Sequence, residues 1–449
     1  MGNTQRLKPV NYLLQNGIIV TSSKAVNGDL LISDGRIVSC SFTGQPPEGT
    51  TLFDCSGCYI LPAGIDPHVH MALETPSGRS ADDFYSGSKA ALRGGTTTLI
   101  DFVTPRRGQS VWEAFLERQQ EAKNALCNVR LHVSPVEWRE TTGYELTRCL
   151  AEGEVNSFKV YMAYRNSIGL EESDIQKTLR LAAREKAVVA VHCEVDSIIV
   201  ENQKRLLSAG FTAPDCHPKS RPSKAEAEAV GKIIQMAEEA SCPVYLVHIS
   251  ARESLDLIHR AQQKGLPVYA ETCPQYLLLN DSEYQKPYDQ AAACVMSPPL
   301  RTDADREALW QALAEGIINT VGTDHCPFTI DQKRKGLSDF TKIPNGAGGV
   351  QFRLSLLFTE GVMKNRISPV RFAEVTSTNA ARIFSLEERN GLNEGNFADI
   401  LVWDPSLRET LPERLPGLED CINIYAGRSV SGGAKHLFLS GDEVCPEKL

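Results

Sequence analysis

Eight short apolar runs, separated by stretches of helical periodicity, constrain this chain more than any other feature. The runs span 59–65, 97–103, 129–136, 157–162, 188–193, 244–249, 268–272 and 317–323. Amphipathic stretches lie between them at 83–92, 111–122, 171–185, 224–239, 254–264 and 303–315, and two more follow at 349–360 and 368–384. The runs are rich in Val and Ile and nearly continuous in apolar character, as parallel strands covered on both faces must be. Eight β/α alternations predict an α/β chain built on a (β/α)8, TIM-like barrel.

The chain ends read differently. Short β patterns at 12–14, 17–20, 29–33 and 36–39 are punctuated by Asn16-Gly17, Asn27-Gly28 and Asp34-Gly35, which are turn dipeptides. The β signature returns after about residue 390, at 398–402 and 436–439. Neither end is large enough to bury a core alone. The expectation is a barrel over 62–390 and one small β-sandwich assembled from 1–61 and 391–449.

Composition narrows the function classes. A net charge of −9, with both signs spread along the chain, argues against nucleic acid or an anionic membrane as a partner. The first residues, Met1-Gly2-Asn3-Thr4-Gln5-Arg6, precede no long apolar stretch, so neither a secretory leader nor a membrane anchor is expected. The Met-Gly start is a myristoylation cue, but Arg6 stands where Ser or Thr is wanted. Thirteen cysteines are odd in number and scattered; Cys55-Ser56-Gly57-Cys58 is an isolated CxxC without a partner pair. Free thiols in a reducing, cytoplasmic setting are expected.

The chemistry-bearing residues sit where the apolar runs give out. His68 and His70 follow the first run; alternate residues of an extended segment share a face, so both imidazoles point one way. Asp66 shares that face and is placed to orient a ligand or line the site. His192 and His248 end the fifth and sixth runs, and Asp324 follows the eighth. A lone histidine at a strand end is more readily a satisfied polar group than a ligand, but the repetition favours convergence at the barrel's C-terminal face. An unpaired carboxylate beside an apolar run carries a large desolvation cost, which a metal or a proton-transfer role removes. Lys159 lies inside the fourth run. An ion-paired or snorkelling lysine is one reading. The other is a neutral amine that adds CO2, forming a carbamate. Four histidines, a carbamate and an aspartate are enough donors for two divalent ions about 3.5–4 Å apart sharing one hydroxide.

At this point the residues resemble a family. Gly64-Ile65-Asp66-Pro67-His68-Val69-His70, Asp82-Asp83-Phe84, Gly94-Gly95-Thr96-Thr97 and Ser157-Phe158-Lys159-Val160-Tyr161-Met162-Ala163-Tyr164 carry the likeness, as do Glu271-Thr272-Cys273-Pro274-Gln275-Tyr276, Ser297-Pro298-Pro299-Leu300-Arg301, Thr323-Asp324-His325-Cys326 and Pro344-Asn345-Gly346. They are similar to the dihydropyrimidinase and D-hydantoinase (phenylhydantoinase-like) group of the amidohydrolase superfamily. The resemblance implies that His68 and His70 bind one metal with Asp324, that His192 and His248 bind the other, and that carboxylated Lys159 (N6-carboxylysine) bridges them. It implies zinc, a cyclic amide as the small-molecule substrate, and an N-carbamoyl amino acid as product. Tyr164 would hydrogen-bond the substrate carbonyl, and Ser297 and Asn345 would grip the ring amide through backbone groups; without the resemblance, Ser297-Pro298-Pro299 and Asn345-Gly346 read as turns. Asp324 would also shuttle the proton.

Three rivals bear on this reading. Dihydroorotase-like members carry Arg two residues after the second metal histidine, where Ala72 stands here. Allantoinase-like members lack the Pro344-Asn345-Gly346 signature. Non-catalytic dihydropyrimidinase-related scaffold proteins lose metal ligands, whereas all six positions are filled here. The loop over 71–80, with Tyr161 and Ile168, is expected to cover the ring substituent; Glu74 and Arg79 in it read as a solvated pair. The family forms homo-oligomers, typically tetramers. After Tyr425-Ala426-Gly427-Arg428 this chain runs only to Leu449, without the Gly- and Arg-rich tail many relatives use in packing, so tetramer and dimer both remain open.

Overall fold

The computed structural model describes residues 10–445, so the myristoylation cue on residues 1–6 lies outside the described residues. Eight parallel strands run Gly64–Asp66, Thr96–Val103, Asn128–Val133, Ser157–Tyr161, Val188–His192, Val244–Leu246, Val268–Thr272 and Thr320–Val321, each paired with the next in chain order. Helices return the chain between them, among them Phe84–Arg93, Val111–Ala122, Thr142–Glu152, Glu172–Glu185, Ser223–Ala240, Arg252–Gln263 and Asp303–Glu315. Asp83 caps the first of these by accepting from the Ser86 amide at 2.8 Å, with Ser86 reciprocating.

Alternation within each strand divides the core. Phe158 and Val160 point outward into the large apolar layer between strands and helices. Ser157, Lys159 and Tyr161 therefore point into the barrel. Lower down, the lumen is filled by Ile65, Ile100, Val188, Ala190, Tyr245 and Val247, plugged from one end by Ala380, Ala381, Ile383 and Phe384. Burying each such side chain contributes roughly 1.5–3 kcal/mol. The plug thus caps the lumen at the strands' N-terminal end.

The seam between the first and eighth strands is not a regular ladder. Asp66 accepts from the Thr323 amide at 3.1 Å and its hydroxyl at 2.7 Å, and the Asp324 amide donates to the His68 carbonyl at 2.9 Å. Fully buried Arg353 donates to the carbonyls of Ile65, at 2.7 Å, and Val321, at 3.0 Å, with its Nε 3.9 Å from Asp66.

The chain ends build a second, mostly antiparallel sheet. Its strands include Asn11–Val20, Ala25–Ser33, Arg36–Ser39, Thr51–Asp54, Ile400–Thr410, Ser429–Leu439 and Asp442–Val444. The Arg36–Ser39 edge is covered by the segment before Ile400: the Ile37 amide donates to the Asn396 carbonyl and the Ala398 amide to that of Gly35. Leu14, Ile19, Ile32, Ile60, Ile400, Val402 and Phe438 fill its core.

One expectation needs correction. The run 59–65 is two strands, not one. Tyr59–Pro62 pairs with Ile400–Thr410 in the end sheet, and only Gly64–Asp66 joins the barrel. Both sheets bury this segment, so its apolar character is unbroken across the change of partner at Ala63. The eighth run also yields only Thr320–Val321 as strand, because Gly322–Asp324 turns inward toward the site. The stretches 349–360 and 368–384 are helical but broken by π-turns at Phe358–Val362 and Glu374–Thr378. Among the described residues, no helix is long and apolar enough to cross a membrane.

Candidate active site

Nine of the residues singled out from the sequence line one cavity of about 640 Å³: His68, His70, Lys159, Tyr164, His192, His248, Ser297, Asp324 and Asn345. It sits at the C-terminal mouth of the barrel. The turn from strand to loop bends sharply there. Tyr164, His248 and Asp324 have φ of 64°, 41° and 53°, left-handed values that non-glycine residues seldom adopt. Such conformations cost of order 1–3 kcal/mol each and persist where the surroundings over-determine them.

His68 and His70 each place Nε2 3.2 Å from Oδ1 of Asp324. The three donors cluster within 4.8 Å of one another. Glu271 lies 2.7 Å from Nδ1 of His68 and also accepts from the Tyr245 hydroxyl at 2.7 Å and the His248 amide at 3.1 Å. Across the cavity, Nδ1 of His192 is 2.9 Å from Nε2 of His248, and Nε2 of His192 is 2.8 Å from Glu194. Arg221 pairs with Glu194 and donates to the Tyr164 oxygen at 3.2 Å.

Burial disfavours the charged form of three of these histidines. Burial pushes His68 and His248 well below the usual imidazole value, and His192 below it as well. Burial pushes Asp324 up, but His68 and His70 outweigh it and leave the carboxyl below its usual range. Glu194 is held to about 2 because Arg221 and His192 overcome its burial, whereas burial raises Glu271 to about 7. Lys159 is completely buried, its Nζ has no hydrogen-bond partner among the described residues, and burial lowers it to about 8.

These residues fit a pair of divalent cations. With Glu271 accepting from Nδ1–H of His68, the Nε2 lone pair faces a carboxylate oxygen. With Glu194 accepting from Nε2–H of His192, the Nδ1 lone pair faces another imidazole nitrogen. Each contact is repulsive unless a proton or cation lies between. Carboxylate-oriented imidazoles are how proteins prepare metal ligands, and the unpartnered Lys159 amine lies on the same cavity.

The structure corrects or extends several sequence readings. Asp66 does not line the cavity; it holds the backbone of His68 and Thr323, on either side of the seam. Glu194, Arg221 and Glu271 were missed as site-shaping residues. Glu271 had a readable signal, since it lies at the end of the seventh apolar run. Leu73–Ser77 of the 71–80 loop, Tyr161 and Ile168 line the cavity. Glu74 is 78% exposed and 3.4 Å from Arg79, a solvated pair as expected. His132 and His325 are satisfied structural histidines, bonded to Ser157 and Asp82.

The same architecture recurs in known proteins. Residues 59–444 match the amidohydrolase family. The chain is 36% identical over 439 residues to a D-hydantoinase from Geobacillus stearothermophilus, covering 97% of this chain and 93% of that one. It is 36% identical over 436 residues to a dihydropyrimidinase from Dictyostelium discoideum, covering 96% and 87%. The crystal structure of a dihydropyrimidinase from Brevibacillus agri superposes with a TM-score of 0.93 at 34% identity, over 97% of this chain and 95% of that one. The barrel, its mouth and these near-full-length matches agree: this chain belongs to the amidohydrolase family, among its dihydropyrimidinases and hydantoinases.

Proposed function

We infer that this chain hydrolyses the cyclic amide of dihydropyrimidines or 5-substituted hydantoins, giving N-carbamoyl amino acids. The observation that carries the reading is Lys159, a buried amine with no hydrogen-bond partner among the described residues, set among four histidines and an aspartate on one cavity. The family supplies the substrate class. In this reading the neutral Nζ attacks CO2, an N–C bond forms, one amine proton leaves, and N6-carboxylysine carries the negative charge. Two divalent ions, with zinc expected, would be held by His68, His70 and Asp324 on one side and His192 and His248 on the other, with carboxylated Lys159 between. When bound they supply Lewis acidity and a hydroxide near neutral pH.

The chain's own side chains do the rest. Asp324 accepts the proton of the attacking water and returns it to the ring nitrogen as the C–N bond breaks. The Tyr164 hydroxyl donates to the amide oxygen as negative charge develops there, a role that elsewhere contributes about 2.7–4 kcal/mol. Arg221 donates to the phenolic oxygen, leaving the phenolic proton for the substrate. Ser297 and Asn345 hold the ring amide through backbone groups, and Glu271 and Glu194 hold the imidazoles in one tautomer. A cytoplasmic homo-oligomer, tetramer or dimer, is the accompanying expectation.

One mixture tests this: zinc- and bicarbonate-supplemented protein with dihydrouracil, racemic 5-phenylhydantoin, allantoin and dihydroorotate, read by mass spectrometry. A carbamoyl product from either of the first two supports the reading, and their ratio names the preferred ring. Opening of only allantoin or dihydroorotate moves the chain to a sister activity. No product from metal-loaded protein overturns the substrate class.

A further inference from the structure

Lys333 is a second buried lysine, and the mechanism above does not use it. It belongs to the short helix Ile330–Arg334 and is 4% exposed. Its Nζ donates to three backbone carbonyls: Val295 at 2.9 Å, Pro344 at 2.8 Å and Gly346 at 2.8 Å. Burial lowers this amine to about 7, against which three carbonyl acceptors match the three N–H donors of its protonated form. The acceptors are not random. Pro344 and Gly346 flank Asn345, and Val295 lies two residues before Ser297. The Gly346 amide closes the arrangement by donating to the Val295 carbonyl at 3.0 Å. Gly346 has φ +142°, and an added Cβ would meet the Cys326 carbonyl at 2.5 Å, so this loop is pressed against the segment that carries Asp324.

The same helix reaches the opposite wall of the cavity. Gln332 donates to the Arg79 carbonyl and Lys335 to the Ser77 carbonyl, both at 2.7 Å. Three segments that face the substrate thus hang from residues 332–335.

We propose that Lys333 is a positioning residue: its Nζ, bonded to three carbonyls, fixes the spacing between the Ser297 and Asn345 segments and so sets affinity for the ring amide. The proposal rests on the functional reading above, in which those two segments grip the amide. It touches neither the reacting atoms nor the six metal-ligand candidates, so its loss acts on substrate binding first.

The test is Lys333→Met, which keeps the stem length and removes all three donors, beside Lys333→Gln, which restores two N–H groups. Both are purified with zinc and assayed on dihydrouracil and 5-phenylhydantoin. The expected result is KM raised about tenfold or more in Lys333→Met, kcat within about threefold, unchanged zinc content, and an intermediate KM in Lys333→Gln. An unchanged KM in folded, metal-loaded Lys333→Met overturns the proposal, as does an equal loss of zinc and kcat. Amide hydrogen exchange of the wild-type protein needs no variant: peptides covering 295–298 and 344–347 should show common protection. A protected first segment beside a freely exchanging second one overturns the proposal even if neither variant folds. If the wild-type protein opens neither ring, the functional reading fails instead, and the exchange result still decides the clamp.

Discussion

The carboxylate of Glu271 lies 2.7 Å from Nδ1 of His68, and both are buried almost completely. The contact selects the tautomer in which Nε2 is bare and aimed at Asp324. Glu271 is also bonded to the Tyr245 hydroxyl and the His248 amide, so it links the sixth and seventh strands to the first.

Glu271→Gln should therefore weaken metal retention without unfolding the barrel. The amide offers a carbonyl on one side only and can present N–H to the ring instead, which loosens the tautomer. Partners of this kind typically contribute 10–100-fold in metal affinity. Zinc content after dialysis against graded chelator should fall by about that factor; wild-type retention would show that His68 is oriented by packing alone.

Lys159 gives a pH dependence with a definite sign. Its amine is lowered to about 8, chiefly by burial. Below that pH the ammonium has no lone pair to add to CO2. Carbamate formation in metal-free protein should rise as pH increases through about 8 and then level off. With dissolved CO2 held constant, a carbon-13 carbamate resonance followed over time reports the rate. A rate independent of pH from about 7 to 9 would remove the lysine from this role, and Lys159→Arg should show no carbamate at any pH.

Asp324 and Tyr164 are expected to fail differently. Asp324→Asn removes the proton carrier and should lower kcat about 10²–10⁴-fold. Tyr164→Phe keeps the ring and removes one donor to the developing oxyanion, so kcat should fall about 10²–10³-fold with little change in KM. Steady-state kinetics on metal-loaded protein separates the two. A Tyr164→Phe effect confined to KM would place the hydroxyl on the bound substrate rather than on the oxyanion.

Arg353 should matter for stability rather than chemistry. Arg353→Met leaves Asp66 buried without its guanidinium and strips the Ile65 and Val321 carbonyls of a donor. Breaking a buried pair of this kind costs about 3–5 kcal/mol. Urea unfolding of metal-free protein should show that loss, and a midpoint equal to wild type would mean that the seam holds without it.

Much of this was legible in the residues because the chemistry interrupts a simple pattern. A lysine inside Ser157–Tyr161, or a histidine closing Val188–His192, stands out against Val and Ile. The divided run around Ala63 was not legible, because both halves are buried and apolar and only their partners differ. Glu194 and Arg221 lie in loops whose pairing brings together distant segments, and no local periodicity marks them. Lys333 was invisible for the same reason: a lysine in a short helix reads as solvated until the carbonyls around it are seen.

The seam has one more consequence, for the order of events during synthesis. His68 and His70 leave the ribosome some 250 residues before Asp324, and Arg353 comes later still. A nascent chain therefore holds two-thirds of the first ligand cluster long before the group that completes it or the residue that joins the barrel's edges. In the functional reading above, a cation held jointly by His68, His70 and Asp324 would therefore report that the last strand has arrived.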